Sequence, residues 1–253
     1  MNRAPHAMTM AMLAVLLGWP GVVNAAEIKV FSTRAIATVL DKVGPEFERA
    51  TGHRLNVTTD IAIRMVRRIQ GGEPFDFLVA TPGQIDELVG EGKIIPDTRA
   101  NLTRSAIGVQ VRAGAPKPDV STVDAFKRAL LNARSIAYLK EGQSGIYLAD
   151  LFKRLGVAEA IESKVTRPET DKVSELVAKG EVELGMVVIT QILTTPGVEL
   201  VGPLPAEIQS YVTFTGGVSS ASRAPDAARE LIRFLAGPVA LPVIKAQGME
   251  PAL

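Results

Sequence analysis

Four short stretches put hydroxyls, small residues and an occasional charge between a run that reads as a buried strand and a run that reads as a helix. "FSTRAI" carries Ser32, Thr33 and Arg34, and "VTTDIAI" carries Thr58, Thr59 and Asp60. "EGQSGIYL" carries Ser144, Gly145, Ile146 and Tyr147, and "RPETDKV" carries Thr170 and Asp171. A helix start offers unpaired N–H groups and the positive end of the helix dipole, so such junctions suit anions. Ser144 can cap its helix or face a ligand. Gly145 is expected to leave the backbone open to that ligand, with the N–H groups of Gly145 and Ile146 as fixed donors. Arg34 is the odd member. A cation in the first helical turn opposes the dipole at a cost of up to about 1 kcal/mol, while its guanidinium fork matches a carboxylate or oxyanion. Asp60 has a plainer role open to it as an N-cap, and Tyr147 either packs into a core or offers its hydroxyl. One such turn is an ordinary helix start; four on alternating units can converge on one cleft.

The elements that must position these turns alternate. "EIKVF", "RLNVTT" and "FDFLVA" read as strands, each followed by a helix: Ala35 to Arg49, Ile61 to Ile69, and Pro82 to Val89 with Pro at its first turn. A longer strand-like run, "SAIGVQVRAG", interrupts the rhythm. A second alternation follows: a helix near Val123 to Leu131, "SIAYL", the helix from Ser144, "KVTRP", a helix near Asp171 to Lys179, and "ELGMVV". "YVTFTGGVSS" is a second long run, and helices at Pro225 to Leu235 and Pro238 to Gln247 close the chain. Strands alternating with helices predict parallel sheets with helices on their faces. The expectation is an α/β protein of two lobes, each a mainly parallel sheet flanked by helices, joined by two crossing strands. Residues 26–108 with 212–253 would form the first lobe and residues 109–211 the second. In such sheets ligands lie beyond the carboxyl ends of the strands, where the four turns fall.

Composition narrows the chemistry. The 253-residue chain has no Cys, which removes disulfides, thiolate metal sites and Cys nucleophiles. Arg3, the apolar run from Ala7 to Val23 and "VNA" at Val23 to Ala25 describe a secretory signal peptide over residues 1–25. The processed chain keeps 27 of the 28 Lys and Arg against 27 Asp and Glu, a formal net charge of zero. That balance excludes a nucleic-acid binder or a polybasic membrane module. Only His53 of the two histidines remains. It sits in the turn "ATGHRLNV", where a solvated loop position is expected rather than a triad or metal site. No metal or cofactor is expected. "RMVRRI" (Arg64 to Ile69) is read as a solvated basic helix face.

A resemblance covers nearly the whole processed chain. "IKVFSTRAI", "EFERATGHRLNV", "RIQGGEPFDFLVA", "SGIYLADLFKRLGV", "LVAKGEVELGMVV", "PGVELVGPLP" and "AARELIRFLAGPVA", in that order, resemble the periplasmic molybdate-binding proteins of ABC importers, which have the type II periplasmic binding protein fold. The resemblance implies a monomeric periplasmic protein that binds a small anion between its lobes and hands it to an ABC permease. It places Ser32, Thr33, Thr58, Thr59, Gly145, Ile146 and about Thr170 at the anion. Three departures bear on the ligand: the first turn reads Ser-Thr-Arg, the second ends in Asp60, and the family's Tyr donor aligns with Val188. "VRAGAPKPDVSTVDAFK" and "GIYLADLFKR" are similar to a branch of the same fold that includes periplasmic aconitate isomerase, which moves a double bond by a proton shift. The alternative to a binding protein is therefore an isomerase of a tricarboxylate, with Asp60, Asp171 and Tyr147 as candidate bases. Arg34 favours a carboxylate over molybdate.

Overall fold

The structure, a computed structural model, describes residues 25–170 and 172–252. Residues 1–24 of the segment read as a signal peptide, and Asp171, lie outside the described residues.

In chain order the first elements are β1 (Glu27–Ser32), α1 (Arg34–Thr51), β2 (Arg54–Thr59), α2 (Ala62–Gln70), β3 (Phe77–Ala80), α3 (Pro82–Gly90) and β4 (Ala100–Arg112). Next come α4 (Val123–Asn132), β5 (Ile136–Tyr138), α5 (Gln143–Arg154), α6 (Ala158–Ile161), β6 (Val165–Thr166), α7 (Val173–Ala178), β7 (Leu184–Val188), α8 (Ile189–Thr194) and β8 (Val198–Pro203). The chain closes with β9 (Tyr211–Val218), α9 (Pro225–Leu235), α10 (Ala240–Ala246) and β10 (Glu250–Pro251). The short elements α6, α8, β8 and β10 have no strong period in the sequence and were not expected. "KVTRP" contributes only the two residues of β6.

The strands run β2-β1-β3-β9-β4-β7-β5-β6, with β8 and β10 also pairing β4. β2, β1 and β3 are mutually parallel, as are β6, β5 and β7. The two parallel sets are joined through β9 and β4, which run antiparallel to each other and to β3 and β7. β4 serves both halves: Ala100 to Ala106 pair with β9, while Ile107 to Arg112 pair with β7 and β8. Alternate residues of one strand feed opposite faces, as the pleat requires. Phe77 and Val79 of β3 join Ile28, Val30, Val39, Phe47 and Leu231 on one side. Leu78 and Ala80 join Phe31, Met65, Ile85 and Leu88 on the other. The second half repeats the plan, with Ile136, Phe126, Leu148, Phe152 and Met186 on one face and Ala137, Val173, Val177 and Val187 on the other. Burial on both faces explains why these strands read as continuous apolar runs rather than alternating ones. Among the described residues no helix is long and apolar enough to cross a membrane.

His53 departs from the solvated turn expected of it. It is buried at 6% exposure, its Nδ1 accepts the Ala26 N–H at 3.2 Å, and its Nε2 lies 3.4 Å from Glu230 Oε2. The α1–β2 turn is packed under α9, so the ring is a structural spacer. It lies at the amino end of β1, away from the turns where the helices start.

Candidate functional site

The carboxyl ends of β1, β2, β3 and β5 each lead into a helix of nine residues or more, and the four helix starts line one cleft. Its central chamber, about 80 Å³, is several times the ~10–15 Å³ that one water needs. Thr33, Arg34, Asp60, Thr81, Gly142 and Ser144 edge it. Ala35, Ala80, Leu139, Val188, Val212 and Phe214 make the rest of its wall mostly apolar. Two side chambers open off it. One, about 150 Å³, is lined by Arg34, Thr59, Asp60, Thr170, Lys172 and Glu175. The other carries Arg67, Thr81, Gln84, Lys140, Glu141 and Ile146. The two side chambers share no lining residue, and the central chamber shares three with each. The cleft is thus a short apolar trough with two cations in each side chamber, beside Asp60 and Glu175 in one and Glu141 in the other, and helix dipoles directed into its middle.

Of the residues singled out in the sequence, Thr33, Arg34, Thr59, Ser144, Ile146 and Thr170 meet along this cleft. Ser32 does not line it. It is wholly buried at the end of β1, with its hydroxyl turned onto the Thr33 carbonyl at 3.2 Å. Thr58 pairs beside Phe31 one step back from the edge and also falls outside the lining. Thr33 is the N-cap of α1 by backbone conformation, yet its side chain makes no cap bond. Its Oγ1 is buried and has no hydrogen-bond partner. Leaving such a hydroxyl unpaired costs about 1–3 kcal/mol, which a ligand oxygen at this position would recover.

Two expectations about the turn before α5 need correction. A Cβ at Gly145 would overlap the Leu139 carbonyl oxygen, so this glycine exists to let α5 pack against the end of β5, not to admit a ligand. The Ile146 N–H is also spent: it donates to Gly142 O at 3.0 Å as the first bond of α5. The donors ahead of that bond belong to Gln143, Ser144 and Gly145. The residue that gives the turn its shape is Gly142, at φ 99° and ψ 157°, a conformation open essentially to glycine.

Asp60 is not the N-cap of α2; Ile61 is. Asp60 is nevertheless fixed from both sides. Its Oδ1 accepts the Ile61 N–H at 2.7 Å, and its own N–H donates to Ser32 O at 3.3 Å. Tyr147 leaves the cleft altogether. Its hydroxyl donates to Ile208 O at 2.7 Å and its ring carries Arg154 at 5.6 Å.

The basic run on α2 is solvated at Arg67, as expected, but it also makes contacts that the sequence did not suggest. Arg67 reaches across the cleft mouth to Glu141 at 3.7 Å. Arg68 stacks on Phe31 at 4.7 Å and chelates Glu73 at 2.6 Å through two nitrogens. That carboxylate raises the Arg68 pKa above its usual value, and the charge of Asp60 adds to the effect. Gln143 of the "EGQSGIYL" turn lines the central chamber, as do Thr81 and Gln191, which were not singled out from the sequence. "ATPGQ" (Ala80 to Gln84) carries the signal for Thr81, a strand-to-helix turn with Pro in first place, in the same pattern as the four that were read. Gln191 carries no comparable signal. Among the described residues, no group of three His, Asp or Glu is arranged to hold a metal ion.

This chain belongs to the bacterial extracellular solute-binding protein family, whose model matches residues 28–250. It is 33% identical to an aconitate isomerase of Pseudomonas sp., over 98% of this chain and 97% of that protein. It is 27% identical to the molybdate-binding protein ModA of Azotobacter vinelandii, over 89% and 90%. The solved periplasmic molybdate-binding protein of Azotobacter vinelandii superimposes with a TM-score of 0.77 at 18% identity, covering 89% of this chain and all of that one. The fold is that of the type II periplasmic binding proteins, as the resemblance implied.

Proposed function

We propose that this chain is an exported enzyme that closes on a small polycarboxylate and isomerises it by shifting a double bond, in the manner that the name of its aconitate isomerase relative indicates. The observation that carries the reading is the division of the cleft. An apolar trough connects one chamber holding Arg34 and Lys172 to another holding Arg67 and Lys140. A compact tetrahedral oxyanion needs donors all around one centre. A polycarboxylate needs cations at separated points and an apolar path for its carbons, and this cleft offers both. Arg34, where the molybdate binders' first turn is uncharged, supports the same choice, as does the apolar Val188 at the position of their Tyr. In this reading residues 26–108 with 212–253 and residues 109–211 are the two lobes, and the signal peptide is removed near Ala25 so that the protein acts in the periplasm.

The family's description supports a second reading, in which the same cleft binds the anion without turning it over and delivers it to an ABC permease. One fold hosts both roles, so the site chemistry must separate them. The test is incubation of the processed protein with cis- and with trans-aconitate, followed by proton NMR. Interconversion supports the enzyme. A rise in melting temperature with either isomer and no interconversion supports the transport protein, since a ligand that binds only the native state stabilises it. A melting temperature raised by molybdate alone overturns the carboxylate assignment.

A further inference from the structure

We propose that Asp60 is the proton-transferring base of the isomerisation, an assignment that rests on the isomerase reading above. Among the described residues it is the single carboxylate on the central chamber's wall, and it also lines the side chamber that holds Arg34. It therefore stands where the apolar trough meets the chamber that Arg34 and Lys172 share with Glu175. A substrate carboxylate beside Arg34 places its neighbouring carbon at this junction. That carbon bears the proton that a double-bond shift must remove.

The carboxylate is built to act from a fixed position. Oδ1 is held by the Ile61 N–H at 2.7 Å, and the backbone is tied to β1 through Ser32 O. Among the described residues Oδ2 has no hydrogen bond. Among the described residues, the other acids that line the cleft are engaged elsewhere: Glu175 faces Arg34 at 3.8 Å and Glu141 faces Arg67 at 3.7 Å. Tyr147, a candidate from the sequence, has its hydroxyl on Ile208 O. An aspartate is a poor choice for merely holding an anion, because its charge repels the ligand; a base is a role that needs that charge.

The step balances on one group. The Asp60 carboxylate takes a proton from the carbon next to the Arg34-bound carboxylate. The electron pair left behind spreads over the three-carbon unit and into that carboxylate, whose growing charge Arg34 and the buried Thr33 hydroxyl face. The Asp60 carboxyl then returns a proton to the far carbon of the unit, and the double bond moves by one position. Nothing is oxidised or reduced, no group leaves, and no cofactor is required.

The experiment compares the wild type with Asp60→Asn, which keeps an oxygen for the Ile61 N–H and removes the base. The expected result is a loss of kcat of about 10²–10⁴-fold, the usual worth of a positioned general base. The thermal shift given by trans-aconitate should stay the same or grow, because a repulsive charge has gone. Asp60→Glu should recover part of kcat. Wild-type kcat in Asp60→Asn, to within tenfold, overturns the assignment while leaving the isomerase reading intact. A wild type that binds both isomers and interconverts neither overturns the isomerase reading and this assignment with it. If Asp60→Asn does not fold, Asp60→Glu decides: a lowered kcat at unchanged KM supports the base, and an unchanged kcat overturns it.

Discussion

Arg34 at the start of α1 and Glu175 on α7 face each other across the cleft, Nη2 to Oε1 3.8 Å, each side chain about half exposed. The pair joins the two halves of the molecule at the side chamber that both residues line. At such exposure it contributes roughly 0–1 kcal/mol and weakens with salt. Under the carboxylate proposal its larger consequence concerns the ligand, which must compete with Glu175 for the same guanidinium. Arg34→Ala should therefore weaken trans-aconitate binding by about tenfold or more, the worth of one charged hydrogen-bond partner. Glu175→Gln should strengthen it by a few-fold. Titration calorimetry of the three proteins checks both signs. Equal weakening in both variants would mean that Glu175 orients Arg34 instead of competing for its charge.

Gly145 carries a second prediction, opposite in kind to what its place in a Ser-Gly turn suggests. A methyl group there would meet the Leu139 carbonyl, which is backbone and cannot swing aside. Gly145→Ala should lower stability by about 1–3 kcal/mol through overpacking. The urea midpoint should fall at unchanged slope. Ligand affinity measured well below the melting temperature should change little. A variant of wild-type stability that fails to bind would restore the ligand-facing role of this glycine.

The contrast between Gly145 and Gly142 shows what the sequence could and could not convey. The alternation of strands and helices, the helix from Pro225 to Leu235 and the long runs at β4 and β9 were legible because period and length announce them. So was the convergence of strand-to-helix turns, since the right-handed parallel units put every such turn at one edge. Which of two nearby glycines bends the chain and which admits a neighbour depends on the position of Leu139, three residues before Gly142, and periodicity does not encode it. The contact of Arg67 was missed for a related reason. Its helix has one apolar face, Met65, Val66 and Ile69, and the opposite face is solvent unless another lobe covers it. Here Arg67 stays exposed on that face but also meets Glu141 at 3.7 Å. Tyr147 and Ser32 have types suited to a site but are consumed by Ile208 O and by the buried end of β1.

Acid should destabilise the protein through carboxylates that are hydrogen-bonded to cations. Glu73, Glu162, Glu169 and Glu199 titrate below the usual value of 4.5, in each case first because a cation hydrogen-bonds them: Arg68, Arg167, Lys140 and Lys117. In the unfolded chain these groups take up protons at the ordinary value, while the folded chain resists. Their contribution to stability is therefore present above about pH 4.5 and is lost as the pH falls through the window below it. Melting temperature should be flat at neutral pH and drop on acidification below that point. Replacing Lys140 and Lys117 by Gln should flatten the drop. A melting temperature that rises between about pH 5 and pH 3 would contradict the sign.

The chamber beside Arg67 separates a polycarboxylate from a compact anion without any assumption about turnover. It lies off the central chamber, away from Arg34, and shares with the centre only Thr81, Gly142 and Gln143. A ligand with one charged centre, held by Arg34 and the orphan Thr33 hydroxyl, does not extend that far. A ligand with carboxylates on both sides of an apolar segment does, and would take Arg67 from Glu141. Arg67→Ala should then weaken a tricarboxylate by about tenfold, as loss of a charge-assisted contact implies, and leave acetate and molybdate unaffected. The double variant Arg34→Ala/Arg67→Ala should lose the product of the two effects, because the chambers are distinct and share no residue. Thermal-shift titrations with trans-aconitate, acetate and molybdate on the four proteins supply every comparison. If Arg67→Ala weakens molybdate as much as the tricarboxylate, the anion sits near α2 in a single compact site. The apolar trough is then wall and not path.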